Sequence, residues 1–175
     1  MIDVIEDSSI NAFLFLMPIK LGTPPVMNLV AIDTGSTLSW VQCQPCEPHC
    51  HDQAAEAGQI FDPTKSTTFR HARCISRECF SIKHELIRLQ SANCMEEEDT
   101  CLYTMSFGGD TTGKVDIGFS FLFGCSLDVE YSDKEAGAIG FGSSSFSFFE
   151  QVAKLINYKA FTYCLPSDET VKKGI

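Results

Sequence analysis

Basic residues are scarce in this chain and no long apolar run occurs, and these two shortages exclude whole classes of function. Thirteen Lys and Arg stand against 23 Asp and Glu, for a formal net charge of −10. The bases are scattered, so no basic face is expected to neutralise phosphates, and a nucleic-acid role is excluded. The longest apolar run, Ala12 to Met17, falls far short of the roughly 20 residues that a membrane-spanning helix needs, so no membrane partner is expected. Internal repeats and low-complexity tracts are missing. The start, Met1-Ile2-Asp3-Val4-Ile5-Glu6-Asp7, is acidic where a secretory signal is basic, and it reads as ordinary chain. Histidine is limited to His49, His51, His71 and His84. They lie far from any nucleophile in a strained turn, so a Ser-His-Asp triad is excluded and all four are assigned to the surface.

What is present points to a globular, mainly β domain. At 175 residues the chain is one domain by length, and 44% hydrophobic residues with 14 Phe supply a core. Nine cysteines, an odd number, indicate an oxidising compartment. A second reading of Cys43, Cys46, His49, Cys50 and His51 is a zinc site, since these are tetrahedral ligand types. Pro45 and Pro48 inside the cluster, and the lack of a second close cysteine pair, weigh against it, and neither a metal nor another cofactor is expected. The acidic run Glu96-Glu97-Glu98-Asp99 reads as a solvated loop.

Strands are expected over Phe13 to Leu21, Asn28 to Ile32, Leu38 to Gln42, Cys101 to Phe107 and Phe119 to Cys125. Val30, Ile32, Leu38 and Trp40 are expected in the core or in a cleft wall. Residues 43 to 100 form a cysteine-rich excursion with a short helix around Ser81 to Gln90. A second helix is expected within 146–158 from the spacing of Phe148, Val152, Leu155 and Ile156. Gly108-Gly109-Asp110-Thr111-Thr112-Gly113 has the composition of a hairpin tip.

The apolar run Leu29-Val30-Ala31-Ile32 ends in Asp33-Thr34-Gly35-Ser36. Alone, these four are ordinary turn residues, because short side chains bond their own backbone and glycine accepts positive φ. Their context changes the reading: a carboxylate at the end of a buried strand, among small hydroxyl neighbours, is held in one orientation. Gly22-Thr23-Pro24-Pro25 precedes it, and Trp40 and Cys43-Gln44-Pro45-Cys46 follow. Farther on come Ile60-Phe61-Asp62-Pro63, Ser66-Thr67-Thr68-Phe69, Cys101-Leu102-Tyr103, Phe123-Gly124-Cys125, Ala136-Gly137-Ala138-Ile139-Gly140-Phe141-Gly142 and Phe161-Thr162-Tyr163-Cys164-Leu165. In this order, over residues 11 to 166, they resemble the N-terminal lobe of pepsin-like aspartic endopeptidases, specifically the plant nepenthesin-like branch, and also the N-terminal domain of plant xylanase inhibitors.

The resemblance implies a pepsin-like β-lobe with one or two short helices, spanning 1–175 with a cysteine-rich insertion at about 43–101. It implies Asp33 as a catalytic aspartate, Thr34, Gly35 and Ser36 as its support, and Trp40, Phe107 and Gly108 as substrate-binding residues. Ser36 would bond the outer oxygen of Asp33, and Thr34 would brace the turn from below. It further implies bridges Cys43–Cys46, Cys50–Cys125, Cys74–Cys101 and Cys79–Cys94, leaves Cys164 unpaired, and places the protein outside the cell or in a vacuole. Such peptidases use two aspartates that share one proton, one activating water while the other donates to the carbonyl oxygen. No second Asp-Thr-Gly or Asp-Ser-Gly occurs. The expectation is therefore a half-enzyme without its C-terminal lobe, inactive alone, with a polypeptide substrate by family. Self-association is expected through the face a second lobe would cover, around Ile139 and Phe141. Two features depart from the family pattern. Phe107 stands where a flap tyrosine is usual, and only eleven residues separate Gly113 from Cys125, which implies a lost strand. The alternatives are a non-catalytic inhibitor-type binding module, and a homodimer in which each chain donates Asp33.

Overall fold

The computed structural model describes residues 5–6, 14–85, 91–106, 110–118 and 121–162. Ten strands among them form one sheet: β1 (Ile5–Glu6), β2 (Phe15–Leu21), β3 (Val26–Asp33), β4 (Trp40–Gln42), β5 (Arg70–His71), β6 (Ser91–Met95), β7 (Thr100–Ser106), β8 (Asp110–Gly118), β9 (Phe121–Val129) and β10 (Gly137–Gly140). Two helices complete the fold, α1 (Arg77–Glu85) and α2 (Phe148–Ile156). No helix among the described residues is long and apolar enough to cross a membrane.

The apolar strands read as continuous runs because the sheet is covered on both faces. Side chains alternate along a strand, so Leu16, Leu29, Ala31 and Trp40 enter one core cluster, while Met17, Val30 and Val41 enter the other with Phe61, Phe123 and Ile139. Val30, Leu38 and Trp40 are buried as expected, and Ile32 is partly buried.

The strand order β1-β2-β3-β10-β4-β9-β8-β7-β6 contains the feature that builds the site. β3 and β4 are consecutive in sequence, yet β10 lies between them, parallel to β3 and antiparallel to β4. Glycine permits this insertion: a Cβ on Gly137 would lie 2.1 Å from the Trp40 carbonyl oxygen. Elsewhere the family-like segments meet in pairs. Thr23 N donates to Ser66 Oγ at 3.1 Å, and Thr67 N to Thr23 O at 2.9 Å. Tyr103 packs over Gly124, where a Cβ would stand 2.3 Å from its hydroxyl oxygen.

The eight cysteines between 43 and 125 are all bridged, but each expected pairing is replaced. The bonds are Cys43–Cys125, Cys46–Cys50, Cys74–Cys94 and Cys79–Cys101. The strand register explains the first. β4 runs parallel to β9 with Gln42 opposite Ser126, and Cys43 N donates to Ser126 O at 2.8 Å, so Cys43 rather than Cys50 is carried alongside Cys125. Cys50 is exposed, within loop distance of Cys46. Cys79 lies on the buried side of α1 with Cys101, both 0% exposed, which leaves Cys74 and Cys94 to pair at a half-buried edge. Cys164 lies outside the described residues.

Several local expectations are also corrected. α1 begins earlier than Ser81, because Cys79 and Ile82 turn inward together and Ser76 Oγ accepts from Cys79 N at 3.2 Å near its start. Asp110 to Gly113 belong to β8, paired with Ser106 to Tyr103, instead of forming the hairpin tip. β8 and β9 pair from Thr111 opposite Val129 to Gly118 opposite Phe121, with a register shift between Thr112 and Gly113. α2 falls within its expected range, with Ser147 Oγ accepting from Glu150 N at 3.1 Å. Its apolar residues do not all turn inward: Leu155 and Ile156 are 64% and 60% exposed.

Candidate active site

β3 delivers Asp33 at its last position, half-buried and in register with Gly140 of β10. Gly35 N donates to Asp33 Oδ1 at 2.8 Å, the local bond by which an aspartate fixes its own turn. The segment from Gly140 onward holds the turn from below. Phe141 N donates to Asp33 O and Gly142 N to Ser36 O, each at 2.8 Å, while Gly140 N donates to Ser39 Oγ at 3.0 Å. Ser39 is tied in turn to β9, its carbonyl accepting from Gly124 N at 2.7 Å. The carboxylate therefore stands on a turn fixed by the backbone N–H groups of Phe141 and Gly142, just past β10.

That close approach makes a testable demand on Gly140. A Cβ there would lie 2.5 Å from Thr37 O and 3.0 Å from Ser36 O, and only backbone movement could relieve it. Gly140→Ala is expected to destabilise the fold by about 1–3 kcal/mol, the usual cost of overpacking, read as a lower urea midpoint. Gly35→Ala is the control, because its Cβ would meet only Asp33 Oδ1, at 3.3 Å. Equal midpoints for the two variants would contradict this account of the turn.

The expected supporting residues are placed unevenly. Thr34 and Gly35 are exposed, so Thr34 does not brace the turn from below. Ser36 Oγ is buried without a hydrogen-bond partner among the described residues, so it does not bond Asp33; the carboxylate accepts from the nearer Gly35 N–H instead. Trp40 is 1% exposed and lies in the core cluster with Leu38 and Ala138. Phe107 and Gly108 lie outside the described residues. Ile139, expected to be uncovered, is also 1% exposed, because β10 is enclosed by β3 and β4.

Sequence reasoning missed the polar cluster beside this site. His51, assigned to the surface, is 5% exposed, and burial holds its imidazole below the ordinary value of 6.5. Its backbone N–H donates to Gln42 Oε1 at 2.8 Å, and Gln42 Nε2 donates to His51 O at 3.2 Å. Its ring lies edge-on to Trp40 and Tyr131. Glu135 is 0% exposed; burial pushes its carboxyl above the ordinary 4.5, although the Tyr131 hydroxyl donates to Oε1 at 2.6 Å. Burial, then Glu135 itself, also raises the Tyr131 phenol. The one signal in the sequence was an acidic residue set directly against the apolar Ala136 to Phe141 run. Among the described residues, no group of three His, Cys, Asp or Glu is placed to hold a metal ion.

A mainly β lobe with β10 threaded between β3 and β4, and an Asp-Thr-Gly turn with Thr34 and Gly35 exposed, has the form of a pepsin-like N-terminal lobe. The chain belongs to the family described as xylanase inhibitor N-terminal, whose model matches residues 15–175. Among curated proteins it is similar to one of Arabidopsis thaliana named Probable aspartic protease At2g35615, with 32% identity over 91% of this chain and 38% of that protein. It is also similar to aspartic proteinase nepenthesin-2 of Nepenthes gracilis, with 31% identity over 87% of this chain and 34% of that protein. The chain thus spans little more than a third of the length of these relatives. Among solved structures, conglutin gamma, a basic 7S globulin from lupine seeds, superposes with a TM-score of 0.55 at 18% identity, over 89% of this chain and 43% of its own; this shows the fold alone.

Proposed function

We propose that this chain is the N-terminal lobe of an aspartic endopeptidase, with Asp33 as one carboxylate of a catalytic pair and a polypeptide as substrate. The observation that carries the reading is the placement of Asp33: oriented by Gly35 N, set on a turn held by three bonds from residues 140–142, and open to solvent at Thr34 and Gly35. Peptide hydrolysis by this chemistry requires a base for water and an acid for the carbonyl oxygen, and two nearby carboxyls supply both because they cannot ionise together. This sequence holds one Asp-Thr-Gly, so the second carboxylate comes from another lobe and the chain is inactive alone. The relatives' names favour a peptidase over an inhibitor-type binding module. Four disulfides fit an oxidising compartment, extracellular or vacuolar.

Exposed Leu155, Ile156, Tyr158 and Phe161 support self-association in the absence of a second lobe. A second copy of this chain supplying its own Asp33 is the reading that such association would favour.

The test is lobe exchange. This chain replaces the matching region of an aspartic protease relative, so that the relative's remaining lobe provides the second aspartate. Hydrolysis of an unfolded protein at acidic pH that depends on Asp33 is expected, and a folded, inactive exchange protein would contradict the reading.

A further inference from the structure

Glu135 is the last residue but one before β10, and its side chain is fully enclosed. Oε1 accepts from the Tyr131 hydroxyl, whereas Oε2 is buried with no partner among the described residues. The charged or titratable groups facing it are Tyr131 and Asp133, and neither is a cation. Lys134 is engaged with Asp52. Across the cluster, His51 is faced by Asp52, Lys134 and Asp133, with its Nδ1 3.3 Å from Asp133 O. A carboxylate enclosed without a counter-charge is far costlier than the neutral acid. The cost falls on a segment that the site depends on. Ala136 N donates to Leu29 O, and Gln42 N donates to Ala136 O, so residue 136 anchors the entry to the strand that reaches Gly140 beside Asp33.

We propose that Glu135 is a proton-operated latch. As a neutral acid it stays packed against Tyr131 and holds residues 131–136 over Trp40; on releasing its proton to solvent it leaves that packing and loosens β10 and the turn that carries Asp33. The sign follows from burial, which raises its folded-state value and is the largest influence; the Asp133 charge acts the same way, while the Tyr131 hydroxyl and the backbone N–H groups of Glu135 and Lys134 oppose it. The latch is fully closed below the ordinary glutamate value of 4.5 and opens as pH rises through the folded value. A lobe built this way is tightest where Glu135 is protonated and His51 is still neutral. His51 shifts in the opposite sense, so its protonation limits the same packing only at the acid end.

Trp40 is the sole tryptophan of the chain, and its ring meets Tyr131 at 5.5 Å and His51 at 6.3 Å between centroids, so its fluorescence reports the cluster without any need for hydrolysis. Titrating the folded chain between about pH 4 and pH 8 is expected to change Trp40 emission with a midpoint above the ordinary glutamate value. E135Q should remove the transition, and its melting temperature should match the parent in acid and exceed it in alkali. Y131F, which deletes the one side-chain hydrogen bond favouring the ionised form, should move the midpoint upward, and this reading stands even if E135Q does not fold. H51Q should leave the midpoint in place. A flat parent titration, an unchanged transition in E135Q, an unmoved or lowered midpoint in Y131F, or loss of the transition in H51Q would each overturn the latch.

Discussion

Asp33→Ala in a lobe-exchanged protease is expected to lower hydrolysis of an unfolded protein by about 10⁴-fold or more, equivalent to about 5.5 kcal/mol of transition-state stabilisation. The magnitude follows from the way a carboxylate pair works. Removing one member does not halve the chemistry, because the remaining group must serve as base and acid within one turnover, and residues that act as a unit fail together. The structure supplies the positional part. The Asp33 carboxyl is oriented by a 2.8 Å bond from Gly35 N, and its main chain is held by Phe141 N at the same distance. Ala at position 33 preserves the main-chain bond from Phe141 N but removes the one from Gly35 N, so the variant should fold with a stability loss of about 0.5–1.5 kcal/mol. A tenfold loss or less in a folded variant would mean that Asp33 is an ordinary turn residue.

Removing the Cys43–Cys125 bridge is expected to be the most damaging single covalent change. The bond joins residues 82 apart, and loop-closure entropy over that length corresponds to roughly 4–5 kcal/mol, against about 2 kcal/mol for the short Cys46–Cys50 loop. A stability of about 5–15 kcal/mol is typical of a domain. Cys43→Ala with Cys125→Ala should therefore lose a large share of it, while Cys46→Ala with Cys50→Ala is tolerated. Denaturant midpoints of the two double variants measure the contrast, and equal losses would contradict it. Peptide mapping of the oxidised chain should recover Cys43 joined to Cys125; recovery of Cys50 joined to Cys125 would restore the pairing first expected from the resemblance.

Those bridges mark where sequence reading stopped. Eight cysteines in order were enough to recognise a bridged insertion, but partner choice depends on which strand lies beside which. The parallel pairing of β4 with β9 is a long-range contact that local patterns do not encode. The Asp33 strand was legible because the apolar run ending in Asp-Thr-Gly-Ser is followed in order by the other resembling segments, Ala136 to Gly142 among them, whose glycines the structure sets where backbones nearly touch. The outward face of α2 was not legible: the periodicity that marks Leu155 and Ile156 as apolar cannot say whether a neighbour covers them. Glu135 and His51 were missed for a related reason. A polar residue in the core is distinguished by its surroundings, and those are assembled from β4, the 44–54 loop and the approach to β10.

The central claim is that this chain contributes one carboxylate to a site that needs two. Its most direct test is the rate at which the chain alone cleaves an unfolded protein between about pH 2.5 and 6, measured across chain concentration beside Asp33→Ala. The account predicts no cleavage above the Asp33→Ala background while the chain is monomeric. Pepstatin-sensitive cleavage by the monomer, linear in its concentration and abolished by Asp33→Ala, would contradict it.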